Sequence, residues 1–543
     1  MLKPNMKFVF VSGGVVSGLG KGITTASLAF LFKSRGYKVT PVKVDMYFNV
    51  DAGTLRPQEH GEVFVTEDGM ECDEDIGHYE RFLNESLPKE NYITAGQIYT
   101  EVIRKERAFE YGGETVDMIP QVTDEIIRRL KLAGEVNHAD IVLVEYGGTV
   151  GEYKNGIFFE AARILKFQQP KDVLHLHVTY LPFLPHIGEL KSKPAQTSVH
   201  VLNSLGIQPD ILIARSVKLI DQKRLEKISL YCNLAPERIF SNPDLDSVYK
   251  LPLLFHSRQQ HLASTCLKLL NLPLRRHHLI TQWAKLINSI DAPKKTTLKI
   301  GLVGKYFKTG DFKLADSYIS VIEALKHAAW QLGVGLDIRW LDCEDITQKE
   351  LAELDGILVP QGWGKRGING KIKAIRFARE NKVPFLGLCF GMQMAVIEFA
   401  RHVAGLKEAN TTEADPSTPQ PVIHIMSDQR RYLKQHQYGG TIRLGAWPCR
   451  IKKDSKLFEI YQSDLITNER HRHRYEFNIN YQKRLEKAGM VFSGMSPDNR
   501  LVEAIELPDH PFFIGTQFHP EYISRPLKPH PIFLAFISAI LRK

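Results

Sequence analysis

The chain has 543 residues, of which 43% are hydrophobic and 24% charged, and its net charge of +10 is spread along the sequence. This balance is typical of a globular protein and excludes a disordered chain, a collagen-like repeat and a small disulfide scaffold. No apolar run reaches the roughly 18 residues that cross a bilayer, and Met1 to Phe10 lack the pattern of a signal peptide. The six cysteines form no C-x-x-C pair, so we expect reduced thiols in a cytoplasmic protein.

Short apolar runs alternate with helix-length stretches along the chain. The runs predicted to be buried strands of the first half are Phe8 to Val11, Lys38 to Val44, Ile141 to Val144 and Ile211 to Ala214. Such runs, separated by helices, predict a parallel sheet covered on both faces. A looser stretch rich in Pro, His, Lys and Arg follows, and a second strand–helix series begins at Lys299. We therefore predict an α/β protein with two doubly wound domains, residues 1–270 and 298–543, joined by a linker over 271–297.

A glycine-rich loop, Gly13 to Gly22, separates the first predicted strand from the first predicted helix. Glycines let backbone N–H groups surround a phosphate, the helix N-terminus adds positive potential, and Lys21 supplies a cation. The spacing is one residue longer than in G-x-x-x-x-G-K-[ST], and Gly22 stands where a hydroxyl would ligate Mg²⁺. The loop favours phosphate binding over a plain tight turn, with carboxylates holding any Mg²⁺.

Two carboxylates are well placed to hold that metal ion. Glu145 directly follows the strand Ile141 to Val144, and Asp75 ends the acidic run Glu71 to Asp75. Ligands of open α/β sheets bind at the carboxyl ends of the strands, where both side chains are expected. A solvated loop is the alternative interpretation of the acidic run.

A second basic motif follows a proline-rich stretch. Lys191 and Lys193 are separated by one residue, and Gln196 follows three residues later. These side chains could hold a second triphosphate. As a bare pattern, a solvent-facing lysine pair is the simpler explanation.

A G-x-C-x-G motif, Gly387 to Gly391, lies where an apolar strand meets a predicted helix. It is the cysteine form of the turn that holds a nucleophile clear of the backbone, although a lone cysteine in an apolar run is usually a core residue. Near the C-terminus, His519 can take a thiol proton while Glu521 orients the imidazole. The two elements together favour Cys389 as a nucleophile. In the segment Pro360 to Gly364, the backbone N–H groups of the residues after the proline could stabilise an oxyanion.

Over nearly its whole length the chain resembles the CTP synthase family, in which an amidoligase domain precedes a class I glutamine amidotransferase domain. The segments that carry the resemblance are Ser12 to Ile23, Asn49 to Asp51, His60 to Thr66, Gly77 to Phe82, Gly147 to Gly151, Lys305-Tyr306, Gly391 to Gln393 and Arg470 to Tyr475. The resemblance implies a P-loop-like amidoligase domain over residues 1–270 and the amidotransferase domain over 298–543.

The resemblance also implies a reaction at two sites. Glutamine is hydrolysed through a thioester on Cys389, and the ammonia displaces a phosphate that Mg²⁺-ATP has placed on O4 of UTP, which gives CTP. The family is activated by GTP and forms tetramers. We therefore expect UTP or a related uridine nucleotide, ATP, glutamine, GTP and Mg²⁺ as ligands, no nucleic acid or membrane partner, and a homotetramer, with filament formation left open.

Individual residues take roles by the same resemblance. Glutamine hydrolysis would be catalysed by Cys389, His519 and Glu521, and phosphoryl transfer would be assisted by Lys43. ATP would be bound by Gly18, Leu19, Gly20, Lys21, Gly22, Ile23 and Asp75, and Mg²⁺ by Asp75 and Glu145. UTP would be bound by Ser17, Lys191, Lys193, Gln196 and Lys227. Glutamine would be held by Gly362, Phe390, Gly391, Met392, Gln393, Glu413 and Arg474. The GTP response would involve Arg366.

Several positions depart from the family pattern. Met46 and Ala52 replace prolines, Lys154 replaces a carboxylate, and Gln361 replaces the first glycine of the oxyanion motif. Further departures are Asp117, Gln121, Ala195 and Thr197. Most of them cluster where the family recognises pyrimidine and ribose, which leaves open a paralogue that aminates a modified uridine nucleotide or escapes CTP feedback; neutral drift is the plainer explanation.

Two other classes of protein agree less well with the sequence. A non-catalytic filament or scaffold subunit would be expected to have lost Cys389, Lys21, Asp75 or Glu145, and all four are present. A partitioning-type ATPase that binds nucleic acid through its basic excess would have no use for a glutaminase half.

Overall fold

The computed structural model describes residues 6–309, 312–313, 315–426, 429–435 and 437–542. The chain forms two compact units. The first comprises Met1–Asp51, Asp75–Glu85 and Lys89–Ile287, and the second comprises Ala52–Glu74, Ser86–Pro88 and Asn288–Lys543. Two short segments of the first half of the sequence thus fold with the second unit. The domain boundaries near residues 270 and 298 stay a prediction.

The first unit is built on a seven-stranded parallel sheet. Its strands are, in spatial order, Ile239–Pro243, Ile211–Ser216, Val173–Tyr180, Lys7–Gly13, Ile141–Tyr146, Val39–Asp45 and Tyr92–Thr94. The central strands are buried along nearly their whole length, so both faces of the sheet are covered, as the apolar runs predicted. Val11 pairs with Glu145, which places the end of the first strand beside that carboxylate.

Helices and one short hairpin complete this part of the chain. The helices are Lys21–Ser34, Glu74–Leu83, Ala95–Arg107, Thr123–Val136, Gly156–Gln168, Lys193–Ser204, Gln222–Cys232, Leu251–His256, Leu262–Leu269 and Ile280–Asp291, and the hairpin pairs Phe183–Leu184 with Glu189–Leu190. The helix Ile280–Asp291 lies within the stretch predicted as a linker. Its Trp283 is fully buried, donates a hydrogen bond from Nε1 to the Tyr249 carbonyl oxygen at 2.8 Å and packs on Phe30, with ring centroids 4.3 Å apart.

The second unit contains a nine-stranded mixed sheet. Its strands are, in spatial order, Gly335–Asp342, Thr297–Gly304, Gly356–Val359, Phe385–Leu388, Phe513–Thr516, Val502–Glu506, Val491–Met495, Cys449–Ile451 and Leu465–Ile466. The first five run parallel and the last four add on in antiparallel fashion. The helices of this unit are Pro57–His60, Ile319–Leu332, Gln348–Ala352, Ile368–Glu380, Phe390–His402, Gln429–Lys434, Lys456–Tyr461, Gln482–Lys487 and Pro531–Leu541.

Four small sheets accompany the nine-stranded sheet in the part of the second unit that the structure describes. In one of them Gln420–Ile425 pairs with both Ala409–Thr411 and Tyr475–Phe477. The others pair Arg443–Ala446 with Arg470–His473, Phe64–Val65 with Glu71–Cys72, and Lys308–Thr309 with Phe312–Lys313. The prediction of an α/β fold in both halves is confirmed. Across the residues that the structure describes, no helix is both long and apolar enough to span a membrane.

Candidate active sites

The glycine loop of the first unit turns the chain from its central strand into a long helix. Gly18 and Gly20 have φ values of 71° and 77°, in the left-handed region that favours glycine, and the helix Lys21–Ser34 begins directly afterwards. Lys21 donates a hydrogen bond from Nζ to the Gly148 carbonyl oxygen at 2.9 Å, and burial lowers its pKa. Helix-start N–H groups and a buried ammonium group thus stand together, an arrangement suited to an anion.

Gly22 leaves space for a carboxylate. A Cβ atom at this position would lie only 1.8 Å from Asp75 Oδ1, so no larger residue fits unless Asp75 moves. The Asp75 carboxylate thus lies against the position at which the commoner P-loop pattern has a hydroxyl residue. This contact supplies a physical reason for the glycine that the sequence pattern alone left unexplained.

Asp75 and Glu145 meet around one lysine. Lys43 forms ion pairs with both carboxylates, and its Nζ lies 3.2 Å from Glu145 Oε1, while the Tyr79 hydroxyl donates to Glu145 Oε2. Burial and the nearby Asp75 raise the pKa of Glu145. Burial also acts to raise the pKa of Asp75, but Lys43 and other cations outweigh it and lower that pKa. Both carboxylates are therefore within reach of a single cation.

This donor set fits Mg²⁺. The ion prefers oxygen ligands and is commonly held by one or two carboxylates together with substrate phosphates. Within the described ranges no group of three or more His, Cys, Asp or Glu side chains could hold a metal ion. Asp75 and Glu145 could hold such an ion, with phosphate oxygens as further ligands.

The residues predicted to contact a second triphosphate lie mostly at the surface of the first unit. Lys193 and Lys227 are exposed, and Lys191 forms an ion pair with Glu189. Gln196 is buried in the helix that Lys193 begins. Lysines at a plain solvent-facing surface would occupy the same positions. A triphosphate site formed by these residues therefore stays a prediction.

In the second unit, Cys389 occupies the predicted strand-to-helix turn. It has φ 51° and ψ −101° between the strand Phe385–Leu388 and the helix Phe390–His402, a backbone conformation that residues other than glycine rarely adopt. Gly391 permits the close approach of the neighbouring strand Gly356–Val359, because a Cβ there would lie 1.9 Å from the Val359 carbonyl oxygen. The thiol is thereby held at the start of a helix, as in a nucleophile elbow.

His519 and Glu521 form a buried pair in the same unit. His519 Nδ1 lies 2.7 Å from Glu521 Oε1, and the imidazole stacks on Tyr522 with ring centroids 4.9 Å apart. Burial disfavours a charged imidazole, but Glu521 and the Cys389 thiol group outweigh it and raise the pKa of His519 to about 10. A histidine held charged beside a cysteine favours the thiolate.

Two glutamines contact this centre. Gln517 donates a hydrogen bond from Nε2 to Cys389 Sγ at 3.5 Å, and Gln393 donates from Nε2 to Gln517 Oε1 at 3.1 Å and to the Tyr475 carbonyl oxygen at 2.9 Å. Gln393 was expected to hold glutamine, and here it orients Gln517. Sequence reasoning missed Gln517, because a lone glutamine two residues before a histidine belongs to no recognised pattern.

The loop predicted to stabilise an oxyanion is fixed by hydrogen bonds from Gln361, Trp363 and Gly364. Gln361 donates from Nε2 to Glu62 Oε1 at 2.9 Å, and the Trp363 N–H donates to the Tyr306 hydroxyl at 3.0 Å. The Gly364 N–H donates to Glu413 Oε1 at 2.5 Å. Burial raises the pKa of Glu413. Glu413, expected to hold glutamine, therefore also positions this loop.

The two predicted arginines have protein partners. Arg474 donates from Nη1 to Gln429 Oε1 at 2.8 Å and from Nη2 to Thr441 Oγ1 at 3.0 Å. Arg366 forms an ion pair with Glu344 at 3.4 Å and donates to a backbone carbonyl oxygen, that of Lys305. Both guanidinium groups are thus held in defined positions.

Comparison with known proteins accounts for both halves of the chain. A family model described as CTP synthase N-terminus matches residues 7–272, and one described as glutamine amidotransferase class-I matches residues 313–539. A CTP synthase of Caldanaerobacter subterraneus is 50% identical over 540 residues, which is 98% of each chain. A CTP synthase of Geobacillus kaustophilus is 48% identical over 548 residues, 99% of this chain and 100% of its own.

The chain belongs to the CTP synthase family. It combines the amidoligase domain and the class I glutamine amidotransferase domain of that family, as the resemblance implied. The comparisons give no support to a paralogue for a modified nucleotide, a non-catalytic scaffold or a nucleic-acid-binding ATPase.

The structure of this CTP synthase family member also explains a residue that carried the resemblance without an assigned role. Tyr79 lies in the segment Gly77 to Phe82, is fully buried, and donates a hydrogen bond from its hydroxyl group to Glu145 Oε2. Burial and the adjacent carboxylate raise the pKa of Tyr79 well above its usual value, so its hydroxyl stays protonated. It therefore orients one of the two carboxylates predicted to hold Mg²⁺.

Proposed function

We propose that this chain converts UTP to CTP with ATP and with ammonia taken from glutamine. The observation that carries the proposal is the geometry around Cys389: a strained turn beside a buried histidine–glutamate pair, in a chain whose other unit holds the Lys21 loop and its carboxylates. A thiol centre and a phosphate-binding loop in one chain support a reaction that uses both glutamine and a nucleotide.

In glutamine hydrolysis, His519 takes the proton of Cys389 and the thiolate attacks the side-chain amide carbon of glutamine. The backbone N–H of Gly362 donates to the oxyanion that forms. His519 then protonates the departing nitrogen, ammonia leaves, and a thioester remains. Water, deprotonated by His519, releases glutamate and restores the thiol.

The contacts proposed for glutamine surround this centre. The first turn of the helix after Cys389 contributes Phe390, Gly391, Met392 and Gln393. Glu413 would pair with the α-ammonium group of glutamine and Arg474 with its α-carboxylate, since opposite charges are the chemical complement of an amino acid.

At the synthase site, backbone groups of Gly18, Leu19, Gly20, Gly22 and Ile23 surround the ATP phosphates together with the Lys21 ammonium group. Asp75 and Glu145 would hold Mg²⁺, which neutralises charge on the phosphates. Lys43 stabilises the transferring phosphoryl group as it passes from ATP to O4 of UTP. Ammonia adds to C4, phosphate leaves with O4, and CTP and ADP are the products.

The remaining parts of the proposal concern binding and assembly. UTP would contact Ser17, Lys191, Lys193, Gln196 and Lys227. GTP would act as an activator through a response involving Arg366. The chain would work as a homotetramer, and a cytoplasmic location stays a prediction.

The test compares two nitrogen sources. Wild-type protein and a Cys389→Ala variant are given UTP and Mg²⁺-ATP with either glutamine or ammonium, and CTP is measured by chromatography. We expect the variant to lose ammonia release and glutamine-dependent CTP formation while it keeps ammonium-dependent CTP formation. Cys449→Ala, which removes another buried cysteine of the same unit, is the control and should keep both activities. Ammonia release by Cys389→Ala would overturn the nucleophile, and wild type that makes no CTP from ammonium would overturn the synthase assignment.

A further inference from the structure

A buried lysine near the glutaminase centre, Lys371, has no assigned part in glutamine hydrolysis. Lys371 lies in the first turn of the helix Ile368–Glu380, and its side chain is 0% exposed. Among the described residues, no carboxylate lies within ion-pair distance of its ammonium group. A buried charge without a countercharge is costly, so its presence calls for a physical explanation.

The surroundings of Lys371 are those of the nucleophile and of the oxyanion loop. Its Nζ donates a hydrogen bond to the Pro360 carbonyl oxygen at 3.1 Å and lies 5.3 Å from the ring centroid of Phe390, the residue after Cys389. A Cβ placed on Gly362 would lie 3.7 Å from the same Nζ. The ammonium group therefore lies close to Gly362, which is proposed to donate to the oxyanion. It also lies close to Phe390, with which the helix after Cys389 begins.

The free protein disfavours a positive charge at this position. Burial and the neighbouring Lys305 lower the pKa of Lys371 to about 7. The start of a helix opposes a cation as well, because its backbone dipole is positive there. The thiol groups of Cys343 and Cys389 act in the opposite direction and favour the charged form. A negative charge at Cys389 would therefore strengthen the charge of Lys371, and Lys371 would in turn stabilise that negative charge.

We propose that Lys371 supplies the positive charge that balances the thiolate and the oxyanion formed at Cys389 during glutamine hydrolysis. It acts across Phe390 and Gly362 and does not touch glutamine, so it is a positioning residue. The proposal rests on the glutaminase part of the proposed function. A neutral amine that only shapes the loop through the Pro360 carbonyl oxygen is the competing explanation.

Other charged and titratable groups face the two side chains and stay unchanged in the test. Lys371 is faced by Lys305, Cys343 and Cys389. Cys389 is faced in addition by His519, Arg472 and Tyr522. Removal of Lys371 also removes the repulsion between its ammonium group and that of Lys305. Lys305 then binds its own proton more firmly, and its positive charge offsets part of the charge lost with Lys371.

The test separates charge from hydrogen bonding. Lys371→Gln removes the charge but keeps a donor for the Pro360 carbonyl oxygen, whereas Lys371→Met removes both. Lys373→Gln is the control, since Lys373 lies on the same helix and donates to a different carbonyl oxygen, that of Ile346, at 2.8 Å. The rate of Cys389 alkylation by iodoacetamide is followed against pH by peptide mass spectrometry, together with glutamine hydrolysis and ammonium-dependent CTP formation.

We expect both Lys371 variants to move the alkylation profile of Cys389 toward higher pH and to slow glutamine hydrolysis roughly tenfold near pH 7, because a nearby cation favours a thiolate. Ammonium-dependent CTP formation should stay at the wild-type rate, which shows that each variant is folded. An unshifted alkylation profile in Lys371→Gln would overturn the proposal, as would an equal shift in Lys373→Gln. Wild-type protein that hydrolyses no glutamine would instead refute the proposed function.

Discussion

At the scale of single residues, the contact between Gly22 and Asp75 yields a direct prediction. In Gly22→Ala the new methyl group would meet the Asp75 carboxylate, so the loop or the carboxylate must shift. Overpacking of this kind commonly costs about 1–3 kcal/mol, and here the cost falls on groups proposed to bind ATP and Mg²⁺. We expect ammonium-dependent CTP formation to fall at least tenfold while glutamine hydrolysis is retained.

Gly156→Ala provides the matched control for that measurement. Gly156 begins a helix of the same unit, and nothing lies within 4 Å of a Cβ placed there. Both activities should stay normal in this control. A Gly22→Ala variant that makes CTP from ammonium at the wild-type rate would contradict the proposed position of Asp75 at the nucleotide site.

The residues that the sequence predicted well are those with characteristic spacing. The G-x-C-x-G motif identified the Cys389 turn, and the two-residue separation of His519 and Glu521 predicted the hydrogen bond between them, which the structure shows. Gln517 and Lys371 could not be found in this way, because Gln517 contacts a residue 128 positions away and the contact of Lys371 with Pro360, 11 positions away, follows no recognised motif. Contacts of this kind leave no spacing pattern in a single sequence.

At the scale of elements, the loop of residues 360–364 is tied to the segment Ala52–Glu74 within the second unit. Glu62 accepts a hydrogen bond from Gln361 through Oε1 and one from the Ser320 N–H, at 2.9 Å, through Oε2. Gln361 is one of the departures from the family pattern, which has glycine there. We infer that this side chain stabilises the conformation of the loop.

Gln361→Gly removes that contact and should slow glutamine hydrolysis about three- to tenfold, which corresponds to the net free energy of one hydrogen bond. Ammonium-dependent CTP formation should be unaffected. Glu62→Gln is the matched control, because a glutamine there can donate to Gln361 Oε1 and still accept from Ser320, so its rate should stay near that of wild type. Steady-state assays of glutamate release measure both, and an unimpaired Gln361→Gly would refute the role of this contact.

Elements were predicted from sequence to different degrees. The parallel strands were found because burial on both faces produces continuous apolar runs, as in Ile141–Tyr146. The antiparallel strands Cys449–Ile451 and Leu465–Ile466 are short and partly exposed, so they carry no such run. The assignment of Ala52–Glu74 to the second unit depends on long-range contacts, and no change in amino-acid composition marks the boundaries of this segment.

At the scale of the whole molecule, the chain combines a unit that makes ammonia with a unit that activates a nucleotide. The net charge of +10 matches substrates that are phosphorylated anions. The two reactions are coupled only if nitrogen from glutamine reaches the pyrimidine ring. That transfer is the central claim.

The most direct test gives the purified chain UTP, Mg²⁺-ATP and glutamine labelled with ¹⁵N in its side-chain amide, and mass spectrometry then reads the label in the nucleotide product. We predict CTP that carries ¹⁵N at the 4-amino group, in an amount equal to the glutamate released. Glutamate release without labelled CTP, or labelled glutamine left intact in the presence of every substrate, would contradict the account.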